Sequence, residues 1–266
     1  MPNHQIEIDT HAHAFTVDGA LVPGRRYTPT EAAPIARYLG ELDGAGIDNG
    51  VLVQPSFLGT DNSYLLSCLS QSERLRGVVV VDPGIDDTVL ATMSAMGVAG
   101  MRLNLLGMDT EFVREDSWQQ LFAQVGRAGW HIEVHTDAQY LPPLLEALLP
   151  SGAAIVIDHF GRPDPQQGMH DPGIRALLDK AESGRIWIKF SGPYRCGGNA
   201  SDYAATYLKH LGTRRIVWGS DFPWTQHSDG MSFRKARDWL NTWIPDPDQR
   251  REVLGASAAK LFHFPA

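Results

Sequence analysis

Two histidines separated by a single residue stand near the start of the chain, in the segment IDTHAHAF (residues 8–15). On an extended backbone side chains alternate faces, so His11 and His13 project the same way and can share one ion or one polarised oxygen. Other groups of the same kind end later apolar runs: His135 after WHIEV, His159 after AIVID and Asp221 after IVWGS. Imidazoles bind a divalent ion or donate to a carbonyl oxygen, and a carboxylate nearby can take a proton from water. That equipment suits hydrolysis, with Asp221 as the base. A single histidine at a strand end is more often structural, and an acid in a turn can simply cap a helix. Recurrence at several run ends is what points to one shared site.

The elements that must position these groups are eight short runs rich in Val and Ile. They are IEID (6–9), GVLVQ (50–54), GVVVVD (77–82), VAGMRLN (98–104), WHIEVH (130–135), AIVIDH (154–159), IWIKFS (186–191) and RIVWGSD (215–221). Most are nearly continuous in apolar character, as parallel strands covered on both faces are. Between them lie helical patterns such as SWQQLFAQVGRAG, LPPLLEALLPSG and YAATYLKHLG, with apolar residues three and four apart. Gly46, Gly97, Gly129, Gly152, Gly184 and Gly212 each stand where a helical pattern stops, as left-handed helix ends require. TPTE predicts a helix start with Thr28 as N-cap, Pro29 at the first helical position and Glu31 closing a capping box, with Pro34 restricting the helix soon after.

Strand and helix alternating eight times predict an α/β fold, one (β/α)8 barrel spanning residues 1–266, with its chemistry at the C-terminal ends of the strands. A doubly wound open sheet is the structural rival, but no Gly-x-Gly-x-x-Gly follows any of the runs. In a barrel the strand ends bring together His11, His13, Gln54, Arg102, Asn104, His135, His159, Lys189, Ser191 and Asp221. Asp158, next to His159, is expected to alternate to the other face as a supporting or structural acid. The irregular stretch TVDGALVPGRRYTP (16–29) follows the first strand and is expected to wall the site, with Arg25 and Arg26 placed to close over it. No linker, repeat or low-complexity segment divides the chain.

Composition excludes several classes of partner. The chain has 266 residues, 43% of them hydrophobic, and a net charge of -8 from 23 basic and 31 acidic residues. That balance gives no surface for nucleic acid or anionic membrane, so an anionic ligand needs a local arginine cluster. Two cysteines, Cys68 and Cys196, make neither a disulfide framework nor a sulfur-ligated cluster, and Cys68 falls in a helical pattern as a core residue. The N-terminal MPNHQ lacks a basic segment followed by an apolar one, and no window approaches 18 uninterrupted apolar residues. The expectation is a cytoplasmic protein without a membrane segment.

Taken together, IDTHAHAF, IDHFGRP (157–163), WGSDFPW (218–224) and ASAAKLF (256–262) resemble the amidohydrolase superfamily. VLVQPSFLGTDNSYLL (51–66), with Gln54, Gly59, Asp61 and Asn62, together with GMRLN (100–104) and KFSGPYR (189–195), is closer to its branch of 2-pyrone-4,6-dicarboxylate hydrolases and sugar and muconate lactonases. The resemblance implies a lactone hydrolase in which His11, His13 and His159 polarise the ester carbonyl and Asp221 activates water. Arg102 and Arg195 would clamp substrate carboxylates, and Gln54, Asn104, Ser191 and Tyr194 would line the pocket. Strand 4 carries no lysine for a carbamate bridge, which argues against two metals. Catalysis without an obligatory metal is favoured, the alternative being one zinc ion on His11, His13, His135 and Asp221. The rival activity is a mononuclear-metal decarboxylase of an aromatic or muconate acid, and a third reading is a binding protein on a retired enzyme scaffold.

Overall fold

All eight apolar runs become strands: β1 Ile8–Ala12, β2 Asn49–Val53, β3 Leu75–Val79, β4 Val98–Asn104, β5 His131–His135, β6 Ile155–Ile157, β7 Ile186–Phe190 and β8 Ile216–Trp218. The structure, a computed structural model, describes residues 6–19 and 21–265. The segment MPNHQ, read above as lacking a leader, lies outside the described residues. Each strand pairs in parallel with the next, giving the order β1 to β8. The circle closes just past the end of β8. There Ala12 bridges Phe222, the Asp221 amide donates to the His11 carbonyl at 2.9 Å, and the His13 amide donates to the Phe222 carbonyl at 2.8 Å.

Eight helices follow the strands: α1 Ile35–Ala45, α2 Ser63–Leu69, α3 Asp87–Ala95, α4 Asp116–Arg127, α5 Leu141–Leu148, α6 Pro172–Asp179, α7 Ala200–Leu211 and α8 Phe233–Trp243. Their apolar faces bury residues such as Leu42, Leu121, Phe122, Leu145 and Leu240 against the outside of the barrel. A second cluster fills the barrel's N-terminal end, where Ile8, Val51, Val78, Val156 and Val217 meet Ala258 and Phe262 of the final short helix. Full burial of one such side chain stabilises by about 1.5–3 kcal/mol. This apolar plug leaves only the opposite end of the barrel for polar chemistry.

The glycine stops hold their places, all six with φ between 65° and 101°. Gly46 ends α1 in the left-handed conformation, whereas Gly212 combines positive φ with an extended ψ of 179°. The helix expected at TPTE does not form. Residues 28–34 are irregular, Ala33 pairs with Phe15 instead, and the helix begins at Ile35 with Pro34 as its N-cap. A proline lacks the amide that a helix interior needs, and it disfavours helical geometry in the residue before it, so the start is set by Pro34 and not by the capping box.

Candidate active site

The register of β1 against β2 slips between Asp9 and Ala12. Asp9 is bound by Tyr38 Oη of α1 at 3.0 Å and by the amide and hydroxyl of Ser220 at 2.8 and 2.6 Å. After the slip, His11 and His13 enter the barrel mouth. Gly219 makes room for them, because a Cβ there would lie 2.4 Å from that of His11. The ring centroids of His11 and His13, of His11 and His159, and of His135 and His159 are each 5.0 Å apart. Four imidazoles from β1, β5 and the turn after β6 therefore form one contiguous cluster.

A hydrogen bond assigns the proton of one of these rings. His13 Nδ1 lies 2.7 Å from the Val53 carbonyl, which can only accept, so Nδ1 carries the proton and Nε2 offers a lone pair. His11 Nδ1 meets both kinds of partner, the ammonium of Lys189 at 3.1 Å and the carboxylates of Asp158 and Glu133 at 3.4 and 3.5 Å. His159 Nδ1 is 2.8 Å from Ser191 Oγ. Burial, then the positive fields of His11 and Arg102, holds His13 well below the ordinary imidazole range. Burial does the same to His135, aided by His159 and Arg102, and to His159, where it outweighs the opposite pull of Asp221 and Asp158.

Asp221 follows β8 with φ of 61°, a conformation that Asp adopts more readily than most residues. Its Oδ2 accepts from Tyr194 Oη at 2.5 Å and from Arg195 Nε at 2.6 Å. Its Oδ1 is buried and without a hydrogen-bond partner among the described residues, as is His11 Nε2, 3.8 Å away. Burial alone would raise this carboxyl's pKa, but the charges of Arg195, His159 and His11 outweigh it and hold the group well below the usual carboxylate range. The acid is ionised, braced through one oxygen and open through the other.

Beneath the histidines lies a charged layer that the sequence reading did not foresee. Glu133 of β5 pairs with Lys189 of β7, and Lys189 Nζ also lies 3.3 Å from Asp158. Arg102 Nη2 lies 3.3 Å from Asp158, and its Nε 3.9 Å from Glu133. Burial would raise both acids, but Lys189 and His11 hold both below their ordinary values. Asp158 does not face away as expected. His159 has φ of 50°, which breaks the alternation, so acid and imidazole both turn into the mouth. Glu133 was legible in principle, since His131, Glu133 and His135 occupy alternate positions of one strand. Gly100, opposite His131, has no Cβ where that ring passes within 2.4 Å.

The remaining predicted residues divide into those that line the cavity and those that support it. His13, Arg102, Asn104, His135, His159, Arg195 and Asp221 line it, joined by Arg26, Tyr27 and Phe57. Ser191 and Tyr194 stand behind His159 and Asp221 and hold them. Gln54 ties down the following turn through Gly59 and Asp61, and its carbonyl accepts from Arg102 Nη1 at 3.1 Å. Of the two loop arginines only Arg26 reaches inward; Arg25 is bound to Thr28 and Val22. Among the described residues, His11, His13 and Asp221 bring one donor atom each within 4.8 Å of one another, a spacing that fits a metal ion. His135, the fourth ligand of the expected set, is not part of that grouping, because its ring lies on the far side of His159.

The family model described as "Amidohydrolase" matches residues 8–264, from the first strand to beyond the last helix. The chain belongs to the amidohydrolase family. Among relatives of this amidohydrolase, the 4-sulfomuconolactone hydrolase of Hydrogenophaga intermedia is 29% identical, over 96% of this chain and 88% of that one. A Pseudomonas putida crystal structure assigned as a 2-pyrone-4,6-dicarboxylic acid hydrolase superposes with a TM-score of 0.92 at 41% identity, covering 99% of both chains. A second structure so assigned, from Acinetobacter baumannii with citric acid bound, gives a TM-score of 0.93 at 33% identity, covering 97% of this chain and 99% of that one.

Proposed function

We propose that this amidohydrolase opens a carboxylated lactone, with 2-pyrone-4,6-dicarboxylate or a close muconolactone as the best candidate. It is a hydrolase of carboxylic esters, in keeping with relatives that are named for lactones. The observation that carries the reading is the open pair of Asp221 Oδ1 and His11 Nε2, an acceptor and a donor left without partners in a buried mouth. A lactone carbonyl oxygen placed against the His11 Nε2 proton is polarised, with His13 and His159 completing its surroundings. A water against Asp221 Oδ1 loses its proton to that carboxylate as it attacks the carbonyl carbon. The histidines stabilise the oxyanion, and Asp221 then returns the proton to the departing ring oxygen.

Arginines supply the recognition. Arg102 and Arg195 line the cavity and present planar forks that suit carboxylates. The citrate held by the Acinetobacter relative is consistent with a site made for several carboxylates. When a substrate carboxylate competes for Arg195, Asp221 loses part of the field that keeps it acidic and becomes a stronger base. Recognition and activation are thereby coupled through one guanidinium.

His11, His13 and Asp221 would hold a metal ion, which would supply further polarisation of the carbonyl. The reaction does not depend on one in this reading, because the mouth is already balanced in charge. Glu133, Asp158 and Asp221 face Lys189, Arg102 and Arg195. In this reading Lys189 donates to His11 Nδ1 at 3.1 Å, which puts a proton of that ring on Nε2, toward the carbonyl. The decarboxylase reading would require that metal ion to be firmly bound.

Two measurements test the proposal. With 2-pyrone-4,6-dicarboxylate and a panel of carboxylated lactones, Asp221→Asn is expected to lower kcat by roughly 100- to 10,000-fold, the range for removing a general base. A variant keeping more than about a tenth of the rate would remove Asp221 from that role. Exhaustive chelation with metal analysis is expected to leave most of the activity, and parallel loss of zinc and rate would assign the ion an essential part.

A further inference from the structure

Asp9 is a buried acid with no part in the proposed chemistry. It is wholly shielded from solvent, and among the described residues no cationic side chain comes within ion-pair distance of it. Burial pushes its carboxyl up, against the hydrogen bonds from Ser220, His11 and Tyr38. An acid in such a place is costly, and an apolar group of the same shape would fill the space at lower cost unless the bonds themselves serve a purpose.

Three of those bonds come from His11 itself and from the neighbour of Asp221. Asp9 Oδ1 accepts from the His11 amide at 3.2 Å and from the Ser220 amide at 2.8 Å, and Oδ2 accepts from the Ser220 hydroxyl at 2.6 Å. Ser220 Oγ in turn accepts from the Phe222 amide at 3.1 Å. Asp221 is therefore bracketed, at Ser220 directly and at Phe222 through the Ser220 hydroxyl, by the same carboxyl that holds the His11 backbone. Its own amide closes the ring by donating to the His11 carbonyl at 2.9 Å. The fourth donor comes from α1. Tyr38 Oη lies 3.0 Å from Asp9 Oδ2, passing over Gly50, the β2 partner of Asp9, where a Cβ would stand 2.5 Å from that hydroxyl.

We infer that Asp9 is a positioning residue: its carboxyl ties the backbone of His11 to the turn that carries Asp221, and so sets the 3.8 Å between His11 Nε2 and Asp221 Oδ1. Side-chain bonds from Lys189, Tyr194 and Arg195 aim the two groups, whereas Asp9 fixes the backbones from which they hang. Reacting groups must be held to within about 0.5 Å, and a misplacement of about 1 Å costs roughly 100-fold in rate. Asp9 acts through other residues, so its loss falls on kcat and spares the arginines that bind the substrate. The inference rests on the lactone reading for its reaction, but the spacing can be measured without turnover.

The experiment compares wild type with Asp9→Asn, Ser220→Ala and Tyr38→Phe, by steady-state kinetics on 2-pyrone-4,6-dicarboxylate well below each thermal midpoint and by crystal structures. Asp9→Asn keeps the size of the side chain but turns one acceptor into a donor. Ser220→Ala removes the hydroxyl that links Asp9 to Phe222, and it carries the test alone if Asp9→Asn does not fold. Tyr38→Phe takes a donor from the same carboxyl, keeps the ring stacked on Phe222 and leaves the bonds to His11 and Ser220 in place. Asp9→Asn and Ser220→Ala are expected to lower kcat by about 10- to 100-fold with KM within about threefold, and to change the separation of His11 Nε2 and Asp221 Oδ1 by at least about 0.5 Å. Tyr38→Phe is expected to lower the thermal midpoint and to keep kcat within about threefold of wild type. An unchanged separation, an unchanged kcat in Ser220→Ala, or an equal loss of kcat in Tyr38→Phe overturns the inference and makes the cluster a matter of stability alone. Absence of lactone opening by the wild type overturns the functional reading, and the crystallographic separation then decides the role of Asp9 by itself.

Discussion

Asp221 Oδ1 and His11 Nε2 face one another at 3.8 Å, both buried and neither hydrogen-bonded within the described protein. An unpartnered buried carboxylate oxygen costs free energy, and two such atoms left side by side mark a place reserved for an outside molecule. The second oxygen of Asp221 is held by Tyr194 and Arg195, so the first cannot swing away. The next question is what holds His11 ready on its other side.

Lys189 does so. Replacing it with Met strips Glu133 and Asp158 of a buried cation, and breaking a buried pair from one side costs about 3–5 kcal/mol. Lys189→Met is therefore expected to lower the thermal midpoint markedly, and Lys189→Met with Glu133→Gln to recover much of the loss. The double variant should remain slow, because His11 Nδ1 has lost its contact with the ammonium at 3.1 Å. Full recovery of kcat together with stability would show that Lys189 is only a counterion.

Gly192 has φ of 49°, and a Cβ on it would lie 3.0 Å from both Asp221 Oδ2 and His159 Nδ1. Gly192→Ala adds roughly 1–2 kcal/mol of backbone strain and displaces the two groups that do the chemistry. The expected signature is a fall in kcat of at least about tenfold with a smaller change in KM. Steady-state kinetics that leave kcat untouched would show that the site relaxes around the methyl group.

Arg195 counters the effect of burial on Asp221. Removing it by Arg195→Met lets burial dominate, so the Asp221 pKa rises. The acid limb of the kcat/KM profile is then expected to move to higher pH, with activity lost on acidification earlier than in wild type. Tyr194→Phe removes a neutral donor and is expected to move the limb less. An unshifted limb in Arg195→Met would assign it to another group.

Stability also depends on pH, with a sign set by the histidines. His13, His135 and His159 are held below the ordinary value, so they bind fewer protons folded than unfolded. Their contribution is complete above the unfolded value of about 6.5 and is lost as pH falls toward their folded values. Each contributes up to about 1.4 kcal/mol per pH unit, about 4 for the three together. Urea midpoints are expected to hold between pH 7 and 8 and to drop steeply below 6.5. A further loss below about pH 4 belongs to Glu133, Asp158 and Asp221, whose values are also lowered. A flat profile between pH 7 and 5 would exclude the buried neutral imidazoles.

The barrel was readable because its strands are buried on both faces and so spell continuous apolar runs; β4 falls on the residues expected, Val98–Asn104. The rim was readable because strand ends converge, which brings His11, His13, His159 and Asp221 next to one another. Two kinds of error had physical causes. Counting alternation through Asp158 and His159 failed at a positive φ, which no single-residue pattern announces. Ser191, Tyr194 and Gln54 were expected to line the pocket, and the structure shows them bonded to His159, Asp221 and the turn after β2, because a strand end offers positions both in the cavity and behind it. Glu133 was passed over because an acid inside an apolar run looks like an exception until its partner Lys189, 56 positions away, is seen.

The seam between the first and last strands carries a consequence for biogenesis. Asp9 is bound by Ser220, 211 positions later, and His11 by the backbone of Asp221. A nascent chain that has not yet reached β8 owns every histidine of the cluster yet has no base, and its unclosed sheet offers a raw edge to neighbours. Catalytic competence should thus appear only once the segment after β8 has docked on β1, which makes turnover itself a reporter of barrel closure.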